Sequence, residues 1–167
     1  FYYLPTEELR IGTYTEYPAR ATGNDCFNAF PATTDWYETV KLNYGVFYQG
    51  GGEKQFDPMP HTWQQMRQIL LFWASKGIDA FRCDMAEMVP VEFWHWVIAE
   101  VKREYPDIEF FAEVYNPARY REFLFEAGFD FLYDKVGMYD YLRGVTSRSF
   151  PAEGITAQWL AVDDIRE

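Results

Sequence analysis

From Pro60 onward, apolar residues at helical spacing alternate with short apolar runs, each bounded by glycine or proline, and this alternation is the strongest limit on the fold. Trp63, Met66, Leu70 and Trp73 form one helical stripe, with Gly77 placed as a C-terminal stop. Residues 78–84 follow as a strand. A second helix opens at Pro90, puts Trp94, Val97, Ile98, Val101 and Tyr105 on one face, and stops at Pro106. Residues 108–113 read as the next strand. Asn116 as cap and Pro117 at the first helical position predict a third helix, with Tyr120, Phe123, Leu124 and Ala127 inward and Gly128 closing it. Residues 129–133 complete the series as a third strand.

A helix between consecutive strands implies an α/β fold with parallel pairing, because parallel neighbours need a crossover. The 29-residue step from Asp84 to Glu113 matches one βαβ unit of about 30 residues. The pattern fits a closed barrel or a doubly wound sheet. No Gly-rich phosphate fingerprint follows any strand to favour the sheet. A whole barrel takes about 250 residues, so 167 residues would supply part of one. Residues 1–59 differ in texture: Gly12, Gly23, Asn24, Asp25 and Gly50-Gly51-Gly52 predict long loops around one short strand, residues 38–44, closed by Gly45. The expected organisation is thus a loop-rich region over 1–59 and an α/β region over 60–167.

The charge balance narrows the partners. With 26 acidic and 15 basic side chains the formal net charge is −11, which repels nucleic-acid phosphates and anionic membrane surfaces. No apolar run is long enough to span a bilayer. Aromatic residues make up 20% of the chain, enough both to fill a core and to offer ring faces to sugars. Cys26 and Cys83 stand in no paired or Cys/His metal spacing, and Cys83 reads as a small buried thiol.

Two carboxylates carry the chemical signal. Asp84 and Glu113 each end a strand, at the carboxyl edge where parallel α/β folds bind ligands. Neighbouring strands lie about 4.8 Å apart, close to the separation of about 5 Å that a retaining glycosidase needs between nucleophile and acid/base. The same spacing also fits Asp84 as a helix cap and Glu113 as a solvated strand end. Arg82, two residues before Asp84, shares its face of the strand. In a barrel that face is interior, so Arg82 is expected to lower the Asp84 pKa and keep it ionised; a purely structural ion pair is the other reading. Glu113, with only Phe110, Phe111 and Ala112 beside it, is expected to have a raised pKa suited to an acid.

The segment Gly77-Ile78-Asp79-Ala80-Phe81-Arg82-Cys83-Asp84 resembles the second conserved region of the α-amylase family, and Phe111-Ala112-Glu113-Val114-Tyr115 resembles the third. Val40-Lys41-Leu42-Asn43-Tyr44 is similar to the short motif between the first and second regions. The resemblance covers essentially the whole chain. It implies a partial (β/α)₈ TIM barrel: the end of the loop-rich insertion after barrel strand three, then strands four to six. It implies Asp84 as nucleophile and Glu113 as general acid/base. Glu87 and Met88 fall where many members carry Lys-His on the leaving-group side, and Tyr115 falls on an aromatic position lining that side.

The family's first and fourth regions, with their Asn-His and His-Asp signatures, are not found, and His61 and His95 match neither. The chain by itself is therefore expected not to catalyse, and to be poorly stable as an open barrel. The implied full-length activity is retaining hydrolysis of starch- or maltodextrin-type α-glucans. Transglycosylation and a non-catalytic binding or assembly relative are the alternatives. The chemistry needs no cofactor, and the family's common structural calcium would draw on ligands partly outside the chain. An α-glucan is the expected partner, with no nucleic acid or membrane; oligomeric state stays open, and so does location, with a secreted or periplasmic one favoured for the full-length protein.

Overall fold

The computed structural model describes residues 1–161, which divide into two compact units, Phe1–Gln64 and Gln65–Glu167, the last six residues of the second lying outside the described part. The first unit is built on three antiparallel two-stranded pairs: β1 (Tyr3–Leu4) with β4 (Ala19–Arg20), β2 (Leu9–Ile11) with β3 (Tyr14–Glu16), and β5 (Val46–Phe47) with β6 (Glu53–Lys54). These replace the single strand expected over residues 38–44, which form none. There Thr39 N–H turns back to Trp36 O at 2.9 Å and Lys41 N–H reaches Ala21 O at 2.9 Å, so no ladder develops.

Leu4, Ala19 and Ala29 form a small core against which Leu9 and Phe27 pack. Beside it, the Tyr2 ring meets Phe27 and Tyr48 edge-on at 5.8 and 5.6 Å. Lys41 is buried because its ammonium is paired with Asp25 and lies over the Tyr48 ring at 4.6 Å. Trp63 closes this unit, donating its indole N–H to Tyr44 O at 3.0 Å and packing on Phe56 at 4.9 Å.

The second unit centres on a parallel three-stranded sheet in sequence order: β7 (Ala80–Cys83), β8 (Glu109–Val114) and β9 (Phe131–Asp134). The helices are α1 (His61–Ala74), whose first turn holds the unit boundary, α2 (Val91–Glu104), α3 (Met138–Thr146) and α4 (Ile155–Leu160). Phe93, Trp94, Val97, Ile98 and Val101 of α2 are buried, as the periodicity predicts, with Phe93 added and Tyr105 only half-buried. On α1 the buried stripe ends at Ala74, while Trp73 is exposed. At about 100° per residue Ala74 lies about 20° from the line of Trp63, and Trp73 about 80° from it.

The third helical segment is not α-helical. Asn116 caps it, accepting from Ala118 N–H at 3.1 Å, and Pro117–Arg119 is 3₁₀. Glu122–Glu126 is then a π turn, with Ala127 N–H bonded to Glu122 O at 2.9 Å. Tyr120, Phe123 and Ala127 are buried as expected. Phe81, Cys83, Phe110, Ala112 and Val114 occupy one face of the sheet, and Phe110 and Phe123 both meet Phe129, at 6.4 and 6.0 Å. Burial of the Cys83 thiol pushes its pKa up to about 12. Arg82, Phe111, Glu113, Phe131 and Tyr133 line the opposite face, with Phe111 and Phe131 stacked at 4.7 Å.

Candidate active site

Register brings the two carboxylates together. Cys83 pairs with Ala112, so Asp84 and Glu113 come next at the carboxyl ends of β7 and β8. Arg82 bridges them, its guanidinium 2.6 Å from Asp84 Oδ1 and 3.0 Å from Glu113 Oε2. Met85 N–H donates to Glu113 Oε2 at 3.2 Å from a left-handed turn, φ 46°. That turn starts where β7 stops, and it aims an amide into the site.

Arg82 differs from the expected buried guanidinium. Its side chain is 47% exposed on the open face of the sheet, with the Tyr133 ring 5.8 Å away. Asp84 is 69% exposed and Glu113 only 5%. The asymmetry follows from position: Asp84 projects past the last paired residue of β7, whereas Glu113 lies within β8, paired with Tyr133 of β9.

The fourth member of the cluster is Lys135, which the sequence reading missed. Its ammonium is 3.0 Å from Glu113 Oε1 and lies over the rings of Tyr115, at 5.3 Å, and Tyr139, at 5.0 Å. Asp134 sets this turn by accepting from Gly137 N–H at 2.7 Å and Met138 N–H at 2.8 Å. The readable signal is parity: Lys135 stands two residues after Tyr133, the register partner of Glu113.

The electrostatics reverse the expected order. Burial pushes the Glu113 carboxyl up, but hydrogen bonds from Asp84, Lys135 and Met85 N–H, with the Arg82 charge, outweigh it and hold the pKa at about 2. Asp84 moves up, first through its hydrogen bond to Glu113 and then through desolvation, against the pull of Arg82. Of the two, Asp84 is therefore the carboxyl that takes up a proton first as pH falls. Counting charges along β8 alone omitted Lys135, one residue beyond β9.

Of the expected leaving-group positions, Glu87 is engaged within the fold: its carboxylate accepts from Tyr115 N–H at 3.1 Å and Asn116 N–H at 3.3 Å. Met88 is half-buried in the same turn. Tyr115 is 44% exposed at the end of β8. His95 lies apart from the cluster, its Nδ1 2.8 Å from Glu126 O, and His61 opens α1. Among the described residues no group of three or more His, Cys, Asp or Glu side chains is placed to hold a metal ion, and no helix is long and apolar enough to cross a membrane.

No family model matches the chain. It is 32% identical over 108 residues to the alpha-1,4-glucan:maltose-1-phosphate maltosyltransferase of Cereibacter sphaeroides, covering 60% of this chain and 17% of that protein. The protein of the same name from Mycolicibacterium smegmatis is 40% identical over 114 residues, covering 67% and 16%. The chain thus spans about a sixth of the length of these curated relatives. In structure it is similar to an alpha-amylase from Lactobacillus plantarum, TM-score 0.58 at 22% identity, over 80% of this chain and 31% of the other. It is also similar to the cyclic alpha-maltosyl-(1→6)-maltose hydrolase of Arthrobacter globiformis, TM-score 0.56 at 21% identity, over 67% and 25%.

Proposed function

We propose, for a chain that belongs to the α-amylase family, that Asp84 and Glu113 are the nucleophile and general acid/base of a protein that breaks α-glucosidic bonds in starch- or maltodextrin-type glucans by double displacement. The observation that carries this reading is the bridging of two strand-end carboxyls on neighbouring parallel strands by one guanidinium. In the first step Asp84 attacks the anomeric carbon while the bond to the leaving oxygen breaks and Glu113 protonates that oxygen. In the second, Glu113 takes a proton from an incoming hydroxyl, which attacks the same carbon and frees Asp84. The first step needs Glu113 protonated, so substrate arrival has to raise its pKa from about 2.

The strands reach this arrangement as part of a (β/α)₈ barrel with residues 1–59 as the end of an insertion, and Tyr115 and Met88 face the leaving-group side. In the second step the acceptor is water or a sugar hydroxyl. Similarity to maltosyltransferases at 32 to 40% identity favours transfer as the second reading.

The test uses the full-length protein that carries this chain. Asp84→Asn and Glu113→Gln are expected to lower maltooligosaccharide cleavage by at least about a thousandfold, and the first product of the unaltered protein is expected to keep the α-anomer. Undiminished turnover in either variant, or a β-anomer, would sink the assignment. Product analysis with and without added maltose separates hydrolysis from transfer.

A further inference from the structure

Lys135 belongs to no motif that suggested the carboxylate pair, yet it makes the only contact from β9's side to Glu113 among the described ion pairs. Three independent features fix it there. Strand parity points it to the face that holds Tyr133 and Glu113. Asp134 locks the turn through the N–H groups of Gly137 and Met138. The rings of Tyr115 and Tyr139 wall the ammonium on two sides.

We propose that Lys135 is a positioning residue for Glu113: it holds the carboxylate through Oε1 and sets how readily Glu113, rather than Asp84, takes up a proton. This rests on the reading of Glu113 as general acid/base. The groups facing Glu113 are Arg82 from β7, Asp84 and Met85 N–H from just past its end, and Lys135 from the turn after β9. Arg82 touches both carboxylates and cannot by itself choose between them. Of the two carboxylates Lys135 touches only Glu113, so when the pair holds one proton its charge favours Glu113 ionised and Asp84 protonated. It is the element of the cluster that biases the pair.

The bias has a direction. Double displacement requires Glu113 protonated, and the alkaline limb of the kcat/KM profile reports loss of that proton. Removing the Lys135 charge stabilises the protonated acid, so the alkaline limb should move upward, by on the order of one pH unit for a lost cation at hydrogen-bond distance. Lys135 also braces Tyr115, and a merely structural loss would lower kcat or raise KM without moving the limb.

The experiment measures kcat/KM against pH for maltooligosaccharide turnover in the full-length protein and in its K135M, K135Q, K135R and E113Q variants, with circular dichroism to confirm folding. The expected result is an upward shift in K135M or K135Q, a limb in K135R within about 0.3 units of the starting protein, and loss of activity in E113Q. Two folded neutral variants with unmoved limbs, beside an inactive E113Q, would overturn the role of Lys135 and leave the acid/base assignment standing. An active E113Q would overturn both.

Discussion

Glu87 holds the backbone of Tyr115, accepting its N–H at 3.1 Å, and with the second carboxylate oxygen it accepts Asn116 N–H at 3.3 Å. The turn after β7 is thereby tied to the end of β8, and Arg119 closes the loop by donating to Glu87 O at 2.8 Å. Glu87→Ala leaves two amides without their partner, and hydrogen bonds to a charged group contribute about 1.5–3 kcal/mol when buried. For this half-exposed site a loss of about 1–2 kcal/mol is expected, measurable as a lower midpoint in chemical denaturation. Glu87→Gln keeps one acceptor and should lose less. If Glu87→Ala instead leaves stability unchanged and only raises KM, the side chain acts on substrate.

Acid should find Glu113 as a source of lost stability. Its folded pKa, about 2, is below the ordinary carboxylate value of 4.5, so its ionised form stabilises the fold above about pH 4.5 and that contribution disappears as pH falls toward 2. Asp84 acts in the opposite sense, because its raised pKa means the folded state gives up its proton less readily than the unfolded chain as pH rises past 3.8. The larger resolved shift is that of Glu113, which is also the buried partner. Thermal unfolding scanned from pH 5 to 2 should therefore show a steeper fall for the unaltered protein than for Glu113→Gln. Parallel curves would contradict the pairing described here.

The parts of this fold that could be read from sequence are those where one period persists. Helix α2 shows five buried residues at helical spacing, and β8 is bounded by Pro106 and the Asn116-Pro117 cap. The paired strands of the first unit are two or three residues long, too short to display alternation, and their partners lie up to 17 residues away, as in Tyr3 with Arg20. The π turn at Glu122–Glu126 preserves the inward positions of an α-helix closely enough to be mistaken for one. Asp84 and Glu113 were legible because each stands at a strand end in its own motif, and Arg82 because it precedes Asp84 by two residues on the same face. Lys135 needed strand register first, and without it the charge order of the pair came out reversed.

Gly45 is a backbone requirement. Its φ is +88°, and a Cβ there would stand 2.6 Å from both Gln55 O and Pro60 Cγ, while Gln55 N–H bonds Gly45 O at 2.7 Å. Gly45→Ala adds strain from the left-handed conformation to a clash with backbone, at a cost of about 1–3 kcal/mol. Hydrogen exchange should report it locally, with Val46–Phe47 and Glu53–Lys54 losing protection. Unchanged protection there would show that the turn relaxes without cost.

Among the described residues Arg82 is the one side chain with ion pairs to both carboxyls, at 2.6 Å to Asp84 and 3.0 Å to Glu113, and the two contacts use different guanidinium nitrogens. A lysine offers one nitrogen at the end of a flexible stem, so Arg82→Lys can satisfy either partner but not hold both at fixed separation. Arg82→Leu removes the bridge and leaves Asp84 and Glu113 facing each other with only Lys135 opposing their charge. On the acid/base reading, turnover should fall by about tenfold to a hundredfold in Arg82→Lys and further in Arg82→Leu. Because Arg82 is half-exposed, the change in thermal midpoint should be small in both. Steady-state kinetics beside thermal unfolding would separate these effects: a large loss of stability with retained turnover would make Arg82 a structural ion-pair partner instead.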